Sequence, residues 1–308
     1  MKAKSRFITF FAAAFLLLTV SAVPVSAQIA VRQTRATRSS ITLSWPATSG
    51  AAGYYLAYYR ADASGNKVGS MVEKDLGNRR SYTMTGLSAG KYYGYAIAAY
   101  SSAYNKLDSS GSTDKYAATA PGKLKKVTPK GWGNGKTGYF ELKSYPDSLR
   151  GFQWKLLNRK GTKVIKKGTS TNTVFSAAVK TNQVYKLKVR GYSLIDGKKF
   201  YGPWYTKTVV PQPKLKVPTY VSGNRMRVGW SKVAGATKYI VYGSTSSNSG
   251  YKKIATVGRN TRSYVVSKVR GSRLQKYKTY YFKVVAVCGK VRSVNVNNSH
   301  GYIYTSYR

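Results

Sequence analysis

A tryptophan, a glycine and a tyrosine recur in this chain at a fixed spacing, and that recurrence constrains the fold more than any other feature. Trp45, Gly50 and Tyr54 are separated by five and then four residues, and so are Trp230, Gly235 and Tyr239. Leu43 and Val228 precede the two tryptophans by two positions, and Leu56 and Val241 follow the two tyrosines by two. A later alternation repeats as well: Tyr93, Tyr95, Ile97 and Ala99, then Tyr280, Phe282, Val284 and Ala286. Between them Tyr185, Leu187, Val189 and Gly191 fill the same places. The leading tyrosines Tyr93, Tyr185 and Tyr280 stand 92 and 95 residues apart. A period of one domain length marks tandem copies of a single unit.

Within each copy, short alternating apolar runs are separated by Gly, Asn, Ser and Pro, the pattern of antiparallel strands joined by turns. Successive strand residues face opposite ways, so Ile41, Leu43 and Trp45 share one face, as do Tyr54, Leu56 and Tyr58. The expected fold is all-β: three tandem seven-stranded sandwiches, each with its core between two sheets. Proline cannot extend a strand ladder, so Ala120-Pro121-Gly122 and Pro211-Gln212-Pro213 are expected as turn-like hinges. They bound the copies at 28–119, 120–212 and 213–308. Each copy must be held by its core alone, because one cysteine, Cys288, cannot form an intramolecular disulfide. Cys288 continues the inward set that ends at Ala286, which favours a buried inert thiol over a reactive or dimer-forming one.

The first 27 residues read as a cleaved signal peptide. Lys2, Lys4 and Arg6 precede an apolar run from Phe7 to Val20, and Val25-Ser26-Ala27 supplies small residues for cleavage before Gln28. The run is shorter than the roughly 20 residues a spanning helix needs, which favours cleavage over a membrane anchor. No later stretch is apolar enough to cross a membrane, so the expected location is extracellular.

An early-strand Trp, then Tyr-x-aliphatic, then Leu-x-x-Gly-x-x-Tyr-x-x-x-aliphatic-x-Ala resembles the fibronectin type III domain. The first copy carries the pattern as Leu87, Gly90, Tyr93, Ile97 and Ala99. The third carries it as Leu274, Tyr280, Val284 and Ala286, with Lys278 and a longer turn. In the middle copy Tyr185, Val189 and Gly191 fit, while Phe140 and Leu142 stand in for the tryptophan and Trp154 lies on the next strand. The resemblance implies immunoglobulin-like sandwiches with Trp45 and Trp230 at their core centres. It also implies that the late-strand tyrosine ties its hydroxyl to backbone a few residues upstream. Tandem arrays with strands like Tyr280-Tyr281-Phe282-Lys283-Val284 are similar to those in secreted and surface proteins of Gram-positive bacteria.

Charge narrows the functional classes. The chain has 53 Lys and Arg against 8 Asp and Glu, a net charge of +45. Residues 28–119 hold 11 bases and 5 acids, residues 120–212 hold 20 and 3, and residues 213–308 hold 19 and none. Such a surface attracts polyanions. The acids give no catalytic arrangement: most sit in turns such as Pro146-Asp147-Ser148 and Asp196-Gly197, and Glu73 and Asp75 flank Lys74 in an expected solvated loop. One histidine, His300, and one cysteine cannot build a zinc site. No glycine-rich phosphate loop leads from a strand into a helix. No catalytic residue, metal ligand or cofactor is assigned.

Two faces are candidate binding surfaces. In the first copy Tyr55, Tyr59, Tyr92 and Tyr100 are expected outward with Ala57, Gly94, Ala96 and Ala98, a flat apolar face suited to stacking on sugar rings or to a neighbouring module. In the middle copy Lys186, Lys188 and Arg190 alternate outward, with Lys155 on the adjoining strand. The hairpin carrying Arg159, Lys160 and Lys163 leads on to Lys166 and Lys167, and like charges this close repel unless an anion bridges them. Trp132, inside a glycine-rich segment, either plugs the end of the middle core or stands exposed as an anchor. Trp204 is expected to pack.

The resulting expectation is a non-catalytic, secreted binding or adhesion protein that associates with anionic polysaccharide or another cell-wall polymer through its second and third copies. Nucleic acid would be a non-specific partner. With no Leu-Pro-x-Thr-Gly signal, charge would provide retention at a wall. A passive spacer, or a glycan-binding module using the tyrosine face, are the alternatives.

Overall fold

The computed structural model describes residues 28–109, 116–133, 137–143, 148–178, 182–294 and 299–302. The expected leader, residues 1–27, lies outside them. Every regular element among the described residues is a β-strand. The first repeat supplies β1 (Arg32–Ala36), β2 (Ile41–Ser44), β3 (Gly53–Ala61), β4 (Lys67–Asp75), β5 (Ser81–Met84), β6 (Tyr92–Tyr100), β7 (Lys106–Ser109) and β8 (Tyr116–Ala118). The middle repeat supplies β9 (Lys126–Gly133), β10 (Thr137–Lys143), β11 (Gly151–Asn158), β12 (Val164–Ser170), β13 (Val174–Ala178), β14 (Tyr185–Ile195), β15 (Lys198–Tyr201) and β16 (Tyr205–Val209). The third supplies β17 (Thr219–Val221), β18 (Arg225–Gly229), β19 (Lys238–Ser244), β20 (Lys252–Gly258), β21 (Ser263–Val266), β22 (Lys268–Val269), β23 (Ser272–Arg273), β24 (Thr279–Cys288), β25 (Val291–Arg292) and β26 (Ser299–Tyr302).

The same topology occurs three times. A three-stranded sheet, β1-β2-β5, faces a larger one ordered β4-β3-β6-β7, with β8 also paired to β6. The counterparts are β9-β10-β13 with β12-β11-β14-β15 plus β16, and β17-β18-β21 with β20-β19-β24-β25 plus β26. The chain is therefore all-β and built of tandem sandwiches. In the first repeat β7 and β8 both pair along β6, at Ala98–Tyr100 and at Tyr92–Gly94, so together they act as one interrupted final strand.

Alternation fixes the cores. Ile41, Leu43, Trp45, Tyr54, Leu56, Tyr93 and Ile97 are buried together in the first repeat. Val228, Trp230, Tyr239, Val241, Tyr280, Phe282 and Val284 are buried together in the third. The two Trp–Tyr pairs match: Trp45 and Tyr54 centroids lie 5.6 Å apart, as do Trp230 and Tyr239. In the middle repeat aromatic stacking replaces the missing early tryptophan, with Phe175 between Phe140 at 5.2 Å and Trp154 at 5.6 Å. Each such offset aromatic pair adds roughly 0.5–1.5 kcal/mol beyond its area.

The tyrosine hydroxyls also repeat. Ser88 N–H donates to Tyr93 Oη at 2.7 Å and Gln275 N–H to Tyr280 Oη at 2.9 Å, each from five residues upstream. The early tyrosines do the same for the turn after the tryptophan, where Thr48 N–H reaches Tyr54 Oη at 2.8 Å and Val233 N–H reaches Tyr239 Oη at 2.9 Å. Cys288 is half-buried and packs against the third core from the β24–β25 hairpin.

The described residues fall into two compact units. One contains residues up to 124 with 144–152 and 190–204; the other contains 125–143, 153–189 and 205–308. Inside the first, the end of the first repeat is tied to the middle one: Ser148 N–H donates to Gly90 O at 3.2 Å, Ser193 Oγ donates to Thr119 O at 2.9 Å, and Lys198 Nζ reaches Thr34 O at 2.7 Å. Inside the second, Val184 N–H donates to Ala234 O at 2.9 Å and Ala234 N–H to Asn182 O at 2.6 Å. The proline segments expected as turn-like hinges are covered by neighbouring strands. Pro121 is buried, its carbonyl packed at Gly202, and Pro211, Gln212 and Pro213 are buried too. Proline ends a ladder, but its ring is apolar and packs readily under neighbouring strands.

Candidate functional site

The middle hairpin is built by one asparagine. Asn158 Oδ1 accepts from Gly161 N–H at 2.8 Å and Thr162 N–H at 3.0 Å, while Asn158 Nδ2 donates to Thr162 Oγ1 at 3.0 Å. Gly161 takes a φ of +84°, where a side chain is strained. This lock leaves Arg159, Lys160 and Lys163 exposed around the turn, with Lys166 and Lys167 exposed on the edge strand β12. Lysines on an edge strand also oppose pairing with another sheet. Lys186 lays its stem over the same turn: a Cβ on Gly161 would lie 3.2 Å from Lys186 Cδ and 3.9 Å from Nζ.

Arg159 then reaches into the third repeat. With Lys232, Arg259, Gly235 and Asn260 it lines a pocket of about 460 Å³. Three cationic side chains meet there, and no carboxylate is among the lining residues. Like charges gathered around one pocket repel, so an anion placed among these cations is favoured. Lys232 and Arg259 escape a reading by strand parity because they lie outside the strands; the lack of any acid in 213–308 is the signal that pointed to this region.

Lys155 on β11 and Lys188 on β14 are half-buried. Arg190 serves another purpose. Its guanidinium lies 3.9 Å from the Tyr201 ring centroid and 4.4 Å from that of Trp204, and burial lowers its pKa against a smaller opposing effect of Tyr201. It alternates with the buried residues of β14 as Lys186 and Lys188 do, but two aromatic rings hold its guanidinium. Lys207 points between the sheets and donates to Val127 O at 3.0 Å, its pKa lowered by burial and then by Lys126.

The tyrosine face of the first repeat also departs from expectation. Tyr59 is only 7% exposed and Tyr100 only 6%. Small residues opposite leave troughs, and the rings lie down into them. Tyr59 covers Gly94, its direct partner across β3 and β6, and Tyr100 covers Gly53. Tyr100 also donates to Asp75 Oδ1 at 2.8 Å and stacks on Tyr104 at 5.3 Å, and its pKa is raised by burial and then by Asp75. Glu73 and Asp75 thus end strand β4 rather than lying in a loop. Tyr55 and Tyr92 are half-buried, and burial, Asp75 and Glu73 raise the Tyr55 pKa.

Trp132 lies on β9 opposite Gly138, with its side chain outside the described residues, as is that of His300 on β26. Asp62 caps a turn, accepting from Ser64 N–H at 2.9 Å and Asn66 N–H at 2.8 Å, and the Asn66 contacts lower its pKa. Among the described residues no three His, Cys, Asp or Glu side chains gather as metal ligands, and no helix is long and apolar enough to cross a membrane.

Residues 24–115 match the model of the fibronectin type III domain family. Two solved structures are similar at 14% identity. The FN1–FN3 domains of chicken CNTN1 align over 89% of this chain and 97% of that one, with a TM-score of 0.30. A two-domain fibronectin type III segment of chicken tenascin aligns over 58% of this chain and 97% of that one, with a TM-score of 0.31. No curated protein matches the chain.

Proposed function

We propose that this chain of tandem sandwiches with the fibronectin type III fold is an exported, non-catalytic binding protein that associates with anionic polymers through its second and third repeats. The observation that carries the reading is the meeting of Arg159, Lys232 and Arg259 on one pocket with no carboxylate in its lining. Lys186 and the Arg159–Lys163 turn extend the positive surface beside it. Oxyanions suit these donors, since an arginine fork makes paired charge-assisted hydrogen bonds and lysine supplies a mobile point charge. The signal-peptide pattern of residues 1–27 and the resemblance to Gram-positive surface arrays favour the wall polymers of the producing cell as the target. The tyrosine face is a poorer platform for sugars, because Tyr59 and Tyr100 are spent covering glycines.

The test replaces Arg159, Lys232 and Arg259 together by Ser and measures binding to purified cell wall and to heparin at 0.15 M salt. The reading expects retention to fall at least about tenfold with an unchanged melting temperature, as for loss of several charge-assisted contacts. Wild-type protein that binds neither material would favour a passive spacer instead.

A further inference from the structure

The third repeat has a second cation-lined hollow, remote in sequence from every basic residue that alternation singles out. A groove of about 630 Å³ is bordered by Lys252 and Lys253 on β20 and by Lys268 and Arg270 on the β22–β23 hairpin, with Ile254 and Tyr264 among its walls. Residues 213–308 contain no Asp or Glu, so the repeat has no acidic side chain of its own to neutralise these four cations. The volume lies within the roughly 300–1,000 Å³ usual for ligand sites.

Arg270 is placed at a conformational cost. Val269 pairs with Ser272 across a two-residue turn in which Arg270 has φ +55° and Gly271 has φ +89°. Both central positions of such a turn need positive φ, which Asn, Asp and Gly accept and a long side chain resists. The guanidinium turns back toward the loop after β19, with Nη1 3.5 Å from where a Cβ would stand on Gly250. A strained arginine on the border of a groove that three lysines also line is the pattern of a charge positioned for a ligand rather than for the fold.

We infer that this groove takes tetrahedral oxyanions, phosphodiester or sulfate ester, carried along a flexible polyol or sugar chain. The assignment rests on the polyanion reading above and narrows it. Three lysines and an arginine fork fit successive oxyanions along a strand. Ile254 and Tyr264 are half-buried and pack against the core of the repeat, so the walls offer one part-covered ring rather than the run of exposed aromatics on which successive bases of a single strand stack.

The full chain is titrated at 0.15 M salt with poly(glycerol phosphate), with heparin and with poly(U), the first two separating phosphodiester from sulfate ester. Three variants are compared with wild type: Arg270→Gly, the double Lys252→Ser/Lys253→Ser, and a charge-matched control, Lys276→Ser/Lys290→Ser, at exposed lysines that border neither hollow. Arg270→Gly relieves the turn, so its melting temperature should hold or rise while affinity for at least one of the first two polymers falls about tenfold. The β20 double variant should lose about as much, and the control less than about threefold, as a distributed electrostatic effect would. Groove variants that bind like the control overturn the groove while leaving polyanion binding standing. Tighter binding of poly(U) than of either other polymer overturns the polyol or sugar assignment. Wild type that binds none of the three overturns the groove together with the reading beneath it.

Discussion

Arg159 rests on Gly235: a Cβ at that glycine would stand 2.7 Å from Arg159 Cδ and 3.3 Å from Nε. The glycine also has φ +89°, so it is required both by its own backbone and by the arginine above it. Gly50 is its counterpart in the first repeat, with φ +72° but with Leu107 Cδ1 at an ordinary 3.9 Å as the nearest atom. Gly235→Ala and Gly50→Ala should each cost about 1–2 kcal/mol, the strain of a left-handed L-residue. Only Gly235→Ala should also displace the arginine and weaken heparin binding. Denaturation and binding measured on both variants check this, and equal binding would contradict it.

The two central tryptophans should be equivalent. Trp45 and Trp230 are buried, and among the described residues neither indole N–H has an acceptor. Trp45→Ala and Trp230→Ala should each cost roughly 3–5 kcal/mol in urea denaturation. Trp→Phe should cost less than Trp→Ala at either place, because it keeps ring volume and removes an orphaned donor. A cost below about 1 kcal/mol for the alanine variants would contradict the core assignment.

Arg190 should behave as a packing residue. Held between Tyr201 and Trp204, it should lose about 1 kcal/mol on change to Lys, which lacks the flat face for stacking. Heparin affinity should respond more to Lys186→Ser and Lys188→Ser than to Arg190→Lys. An arginine variant with full stability and the largest loss of binding would reverse its role.

Alkaline pH should weaken the fold through Tyr95. Burial, then the Asp196 carboxylate, raise its pKa from 10.0 to about 12. The unfolded chain therefore releases this proton at lower pH than the folded one. The stabilising contribution is complete below pH 10, and is lost as pH rises from 10 towards 12, by up to about 2–3 kcal/mol. Urea melts across that window should show a shallower loss for Tyr95→Phe than for wild type. Parallel curves would contradict the shift.

Much of the fold could be read from alternation, and the reasons are local. Trp45, Tyr54 and Leu56 turn inward because strand parity leaves no other choice once one of them is buried. The tyrosine–backbone bonds at Tyr93 and Tyr280 follow from the motif itself. Parity fails where it gives a side chain's face but not its direction. Tyr59 points to the outer face and then lies flat, because its cross-strand partner is Gly94; register, not composition, decides that. Arg190 fails for the same reason, since its rings come from Tyr201 and Trp204. Prolines announced an end to pairing at 121 and 211–213 but not their burial. The pocket of Arg159, Lys232 and Arg259 joins residues from connections far apart in the chain, which tertiary packing alone brings together.

The central claim is that binding is electrostatic, and a salt series on the full chain tests it most directly. Affinity for heparin is measured by fluorescence anisotropy from about 0.1 M to 1 M salt, over which the Debye length falls from about 10 Å to about 3 Å. Each anionic site neutralised by Lys or Arg releases condensed counterions, so log affinity should fall linearly with log salt, and the slope should be smaller for Arg159→Ser/Lys232→Ser/Arg259→Ser. Affinity that stays the same across the series, with the same slope in the triple variant, would contradict the account.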